Sequence, residues 1–141
     1  MMTASHDLPR RTYRFTVSEL LRMVEAGLLA DRRVELLDGE LVCMTAKGPL
    51  HVYIAATLHD RFTRALSGDM HARKEDPLVT SATSAPEPDV AIVRGARRDW
   101  RDRLPAGSDC LLAVEVSVTT LDTDRSKLQC RSDSGSSDRR T

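Results

Sequence analysis

The chain has no net charge: 21 Lys and Arg balance 21 Asp and Glu. No whole-molecule field would draw it to nucleic acid or membrane, so any polyanion contact must come from a local patch. No apolar run approaches the length of a membrane span, and Met1-Met2-Thr3-Ala4-Ser5-His6-Asp7 has no signal-peptide core. A cytoplasmic protein with no membrane partner is the expectation. Cysteine is sparse, and Cys43, Cys110 and Cys130 form no Cys-x-x-Cys pair. That argues against a zinc ribbon and a disulfide framework, and places Cys43 and Cys110, in apolar strand-like runs, among small core residues. There is no ATP-binding loop, no dinucleotide fingerprint, no nucleophile motif and no internal repeat.

What is present suits one domain. The 141 residues are 40% hydrophobic and 30% charged, enough for a single core but not a generous one. Residues 1–14 are polar and basic and are expected to form a flexible arm. Thr16-Val17-Ser18-Glu19 is a capping box, Val17, Leu20, Leu21, Val24 and Leu28 repeat at helical spacing, and Gly27 is the expected stop. Two apolar runs, Arg33–Leu37 and Glu40–Met44, flank Asp38-Gly39, a strong hairpin signal because both turn residues tolerate positive φ. From Pro49, His51, Ile54, Ala55, Leu58, Phe62, Ala65 and Leu66 fall on one helical face, closed by Gly68. Residues 70–85 are poorly periodic, with a possible short strand at Pro77-Leu78-Val79. A helix is expected after Thr119-Thr120. The domain is read as 15–128, and 129–141, with no aliphatic residue from Cys130 onward, as a disordered polar tail.

Chemistry concentrates in two apolar stretches that carry acid, Ala85–Val93 and Leu111–Ser117. Both read as short, largely buried strands, and an unpaired carboxylate there would be costly. Asp89 and Glu115 therefore suggest either a shared divalent metal or salt-bridged acids at a strand edge. Phosphodiester cleavage needs a cation against the non-bridging oxygen and an activated water, and magnesium prefers a couple of carboxylates. Pro88-Asp89 and Glu115-Val116-Ser117, twenty-six positions apart, fit a Pro-Asp … Glu-x-Lys outline with serine in the lysine position. Lys127, on the next expected helix, could reach back to hold the water, or be a solvated surface lysine. The Arg94–Leu104 connection, with Arg94, Arg97, Arg98, Arg101 and Arg103 around Trp100, reads first as a charged loop and second as a phosphate-contacting run. His6, His59 and His71 lack ligand spacing and read as surface residues.

Val34-Glu35-Leu36-Leu37-Asp38-Gly39-Glu40-Leu41, His51 opening a helix, Glu87-Pro88-Asp89-Val90, and Val114-Glu115-Val116-Ser117 followed by Asp124-Arg125 and a lysine resemble the Uma-two family. This is a restriction-endonuclease family within the PD-(D/E)XK nuclease superfamily. The resemblance spans roughly residues 12–127. It implies an α/β, restriction-endonuclease-like mixed sheet flanked by helices, a magnesium (or manganese) cofactor, and DNA as substrate. It implies Asp89 and Glu115 as metal ligands and Lys127 as the water-positioning base, with Glu40 and His51 as further candidates. Glu40 otherwise reads as a surface hairpin residue, and His51 as part of an amphipathic face.

Two features depart from the family pattern. Lys127 follows Asp124 by three positions rather than four, and the polar sequence from Gln129 replaces a further strand. One residue is about 100° of helical rotation. The expectation is a C-terminal side that is missing, through truncation or a reading-frame change, and an exposed sheet edge that favours homo-oligomers. A metal-dependent DNA endonuclease is the leading reading. The alternative is a non-catalytic remnant that binds DNA or a partner without cutting.

Overall fold

In the computed structural model, residues 11–118 are described. Lys127, the helix expected after Thr119-Thr120 and the polar tail lie outside the described residues.

Helix α1 (Val17–Glu25) begins as its capping box requires. The Thr16 hydroxyl accepts from the Glu19 N–H at 3.2 Å, and the Glu19 carboxylate accepts from the Thr16 N–H at 2.8 Å. Two otherwise orphaned donors are satisfied this way. Only part of the expected apolar stripe is covered: Val17 and Leu20 are buried, whereas Leu21, Val24 and Leu28 are exposed.

Strands β1 (Val34–Leu37) and β2 (Glu40–Cys43) form the expected hairpin, with Leu37 opposite Glu40. Asp38 and Gly39 turn with φ of 47° and 79°, the left-handed geometry that a two-residue hairpin demands. Gly39 has a second reason to be glycine, because an added Cβ would stand 2.4 Å from the Cβ of Arg14. The turn is stitched to the neighbouring chain by Phe15 N–H to the Gly39 carbonyl (2.8 Å), and by Gly39 N–H to the Thr83 carbonyl (2.7 Å). Leu36, which pairs with Ala85 in a single bridge, is fully buried against Val17 and Leu20. This cluster is the first core.

Helix α2 (Pro49–Ala65) starts with Pro at its first position, where a missing N–H costs nothing. It packs on strands β3 (Met70–Arg73) and β4 (Val90–Arg94). With β5 (Cys110–Val114) these make a three-stranded antiparallel sheet in the order β3-β4-β5. Among the described residues the architecture is therefore α/β, two α-helices with a hairpin and a small sheet. A parallel contact joins Val79 to Ala106 as one isolated bridge, all that forms of the strand expected at Pro77-Leu78-Val79.

Three expectations change. Strand β3 lies in the stretch read as non-periodic, because its Met-His-Ala-Arg alternation is only four residues long and contains no β-branched or aromatic residue. Strand β4 is as buried as expected, Val90 through Val93 all lying inside, since it alone has a neighbour on both sides and α2 above it. Strand β5 is not: Leu111 and Leu112 are each 43% exposed, because β5 is an edge strand among the described residues. Cys43 and Cys110 are only partly buried.

Candidate active site

The chain converges at the end of the sheet where β4 begins. Asp89 immediately precedes β4, and its side chain is 4% exposed. The pairing of Val90 with Val114 sets Asp89 opposite the residue that follows β5, which is Glu115. The next backbone N–H, that of Val116, donates to Asp89 Oδ2 at 2.7 Å. From the loop between β2 and α2, Lys47 Nζ donates to Asp89 Oδ1 at 2.5 Å and to Glu75 Oε1 at 2.6 Å. His51, in the first turn of α2, donates from Nε2 to Asp89 Oδ2 at 3.0 Å. An ionised carboxylate only accepts, so the proton belongs on Nε2. The His51 Nδ1 is then a buried acceptor with no hydrogen-bond partner among the described residues.

Glu75 is held in place by unusual backbone. Its φ is 54°, a left-handed value that costs a non-glycine residue roughly 1–2 kcal/mol. Its N–H points at the carbonyls of Pro88 (3.2 Å) and Asp89 (3.3 Å), which ties the turn after β3 to the entry of β4. Arg33 reaches the same group, 3.9 Å from Glu75 and 3.7 Å from Glu87. The Glu35 carboxylate on β1 accepts from the Glu87 N–H at 3.2 Å.

The electrostatics divide these acids in two. Burial pushes the Asp89 carboxyl up, but the Lys47 hydrogen bond and the Val116 N–H outweigh it, and the net direction is down. Glu75 is lowered chiefly by its bond to Lys47. Burial would lower the Lys47 ammonium, but its bonds to Asp89 and Glu75 prevail and hold it up. Glu115 moves the other way. Partial desolvation, then the Asp89 charge and a hydrogen bond to it, raise its carboxyl. Glu87 is also raised, by burial first and by Glu35 among its neighbours.

Four carboxylates, Glu75, Glu87, Asp89 and Glu115, thus share the ammonium of Lys47 and the guanidinium of Arg33, and a fifth, Glu35, adds its charge beside Glu87 and Glu115. That surplus of negative charge suits a divalent cation. Among the described residues no group of three or more His, Cys, Asp or Glu is gathered as metal ligands. Asp89 accepts from Lys47, His51 and Val116 and is also hydrogen-bonded to Glu115, which fills the roughly four acceptor sites of a carboxylate, so a cation there would displace one of these partners.

Asp89, Glu115 and His51 are brought together. The buried character expected for both acids holds for Asp89 alone, because Glu115 lies beyond an edge strand and is exposed. Glu40 is elsewhere, exposed on the hairpin and 3.7 Å from Arg14. Its hairpin neighbour Glu35 is the one whose charge reaches Glu115. Lys47, Glu75 and Arg33 were not anticipated. Lys47 had a faint signal in the Gly48-Pro49 break that fixes its loop; Glu75 and Arg33 had none. In the Arg94–Leu104 connection, Trp100 is anchored by its Nε1 to the Arg94 carbonyl (2.8 Å), with Arg103 stacked 4.3 Å over its ring. That supports the charged-loop reading over base stacking.

No curated protein and no solved structure matches this chain. One family does: Uma2, described as "putative restriction endonuclease", matches residues 17–131. The match covers well over half of the chain and includes Asp89, Glu115 and Lys127, and so the protein belongs to the Uma2 restriction-endonuclease family.

Proposed function

We propose that the protein is a magnesium- or manganese-dependent endonuclease that hydrolyses phosphodiester bonds in DNA. The observation that carries this reading is Asp89 set opposite Glu115 at the end of β4 and β5, in a member of a restriction-endonuclease family. Asp89 and Glu115 are assigned as the residues that hold the cation. When bound, the cation would polarise the scissile phosphate and make a nearby water more acidic. His51 and the Val116 N–H orient the Asp89 carboxylate, and Lys47 balances its charge and that of Glu75. A cleft of about 520 Å³, lined by Lys47, Gly48, Pro49, His51, Val116 and Ser117, opens beside these groups and offers room for a phosphate backbone. The family resemblance assigns water positioning to Lys127.

One observation favours a second reading. The Lys47 ammonium already neutralises Asp89 without any metal, as it would in a domain that binds DNA or a partner but does not cut. Incubation of a DNA duplex with the protein and magnesium or manganese separates the two. Cutting that requires the metal and disappears in Asp89→Asn and Glu115→Gln supports the enzyme. DNA binding with no cutting under any divalent cation supports the second reading.

A further inference from the structure

A second cleft, of about 300 Å³, lies along β3 between α2 and the short 3₁₀ turn Arg97–Trp100. It is lined by His59, His71, Arg73, Lys74, Asp76 and Arg97. Three permanent cations face one carboxylate there, in a molecule with no net charge. That carboxylate, Asp76, pairs only loosely with Arg73, at 3.5 Å.

Two of the lining groups have unmet hydrogen-bonding capacity. His71 and Arg73 are two residues apart on β3, paired with Val93 and Ala91, and so share one face of the strand. The His71 Nδ1 is committed to the Gly95 carbonyl at 2.8 Å, which leaves Nε2 as its remaining polar atom. That Nε2 is buried with no partner among the described residues. The same is true of the Arg73 Nε, on a side chain only 13% exposed. Buried polar atoms without partners are rare and call for an explanation. A guanidinium presents a planar fork of donors that matches a phosphate, whereas the His71 Nε2, opposite an Nδ1–H that already donates, is an acceptor in the neutral ring and pairs with a protonated phosphate oxygen. Burial has already removed water from part of the Arg73 guanidinium, on a side chain that lines the cleft.

We propose that this cleft is an anion-binding site that takes a phosphate of the DNA backbone, with Arg73 and His71 at its floor and Lys74 and Arg97 at its rim. It rests on the proposed endonuclease reading and deepens it, supplying a substrate contact outside the carboxylate cluster. Its position suits that role. Arg73 pairs with Ala91, two residues from Asp89, which places the cleft roughly 7 Å along the strand from the cluster. Phosphate contacts of this kind fix register on a duplex without reading its sequence.

The test measures binding of the full chain to a labelled DNA duplex in chelator, so that no cutting intervenes. Salt is varied between about 50 and 200 mM, where each phosphate contact contributes about 0.9 to the slope of log affinity against log salt. The variants are Arg73→Gln and, in case that one fails to fold, the surface pair Lys74→Gln with Arg97→Gln. The expected result is a several-fold loss of affinity and a slope shallower by about one per contact removed. Inorganic phosphate is the second probe, and it should move the His71 imidazole resonances in the parent but not in Arg73→Gln. Variants that bind DNA with the parent's affinity and slope would overturn the assignment, and so would a cleft that takes inorganic phosphate yet adds nothing to DNA affinity. A parent that binds DNA through the cleft but never cuts would sink the endonuclease reading alone. A parent that cuts while the variants bind as it does would sink the cleft alone.

Discussion

Lys47 and Asp89 are forty-two residues apart in sequence and 2.5 Å apart in space, both largely shielded from water. Repulsion from Glu115 alone would make loss of the Asp89 charge neutral or favourable. The contact with Lys47 reverses that sign, because a buried ammonium would be left with Glu75 only.

Asp89→Asn and Lys47→Met should therefore each lower the stability of the metal-free chain by about 2 kcal/mol, the worth of a charge-assisted hydrogen bond. The double variant should lose much less than the sum, with a coupling of about 1 kcal/mol or more. Chemical denaturation of the four proteins would show it. Additive losses would mean that the two groups do not depend on each other.

Stability should pass through a maximum near pH 4 at low salt. Glu115 and Glu87 have carboxyls raised above their ordinary value, so folding takes up protons there and stability grows as the pH falls through their folded values. Asp89 and Glu75 are lowered. Their contribution is present above the ordinary carboxylate range, about pH 4, and is lost as the pH falls through their folded values. Thermal melts from neutral to strongly acidic pH would trace both limbs. A steady decline from neutral pH, with no rise, would contradict the assignment of Glu115 and Glu87.

Magnesium or manganese should raise the melting temperature, by an amount equivalent to about 2.7 kcal/mol when the metal is at a hundred times its dissociation constant. Glu115→Gln should largely abolish the response. Lys47→Met should enlarge it, since one competitor for Asp89 is gone. If Lys47→Met weakens the response instead, the lysine supports the cation rather than opposing it.

Among the described residues, strand β5 is an edge strand that exposes Leu111 and Leu112, a known template for association. The purified chain should form dimers or larger species whose population rises with concentration. Leu112→Lys should shift it toward monomer in light scattering, with little change in melting temperature. Unchanged association would place the contact elsewhere.

Local chemistry was the readable part of this sequence. The capping box at Thr16 and Glu19 and the turn at Asp38-Gly39 depend on residues within a few positions of one another, and both formed as expected. Asp89 and Glu115 were legible because acids inside apolar runs are conspicuous. Lys47 and Glu75 were not, since each enters the site through contacts 28 or 42 residues away that no periodicity records. That Glu35 rather than Glu40 lies near the cluster was hidden for a related reason. Both lie on one hairpin, and only the packing of residues 85–88 against β1 decides which acid faces the site. Edge position, which exposes β5, is a property of the assembled sheet.

The ladder between β4 and β5 slips between Ile92 and Val93, where Leu112 and then Cys110 are the partners and Leu111 is passed over. This bulge lies at the far end of the strand pair from Asp89. Insertions and deletions in the connection between the strands, or at Leu111 itself, can therefore be absorbed before they reach Glu115. A one-residue change between Leu112 and Glu115 has no such buffer. It would carry Val114 or Val116 into the place opposite Asp89 and exchange a carboxylate for methyl groups. A change of length in the loop therefore spares the place opposite Asp89, while one in the last three residues of the strand does not.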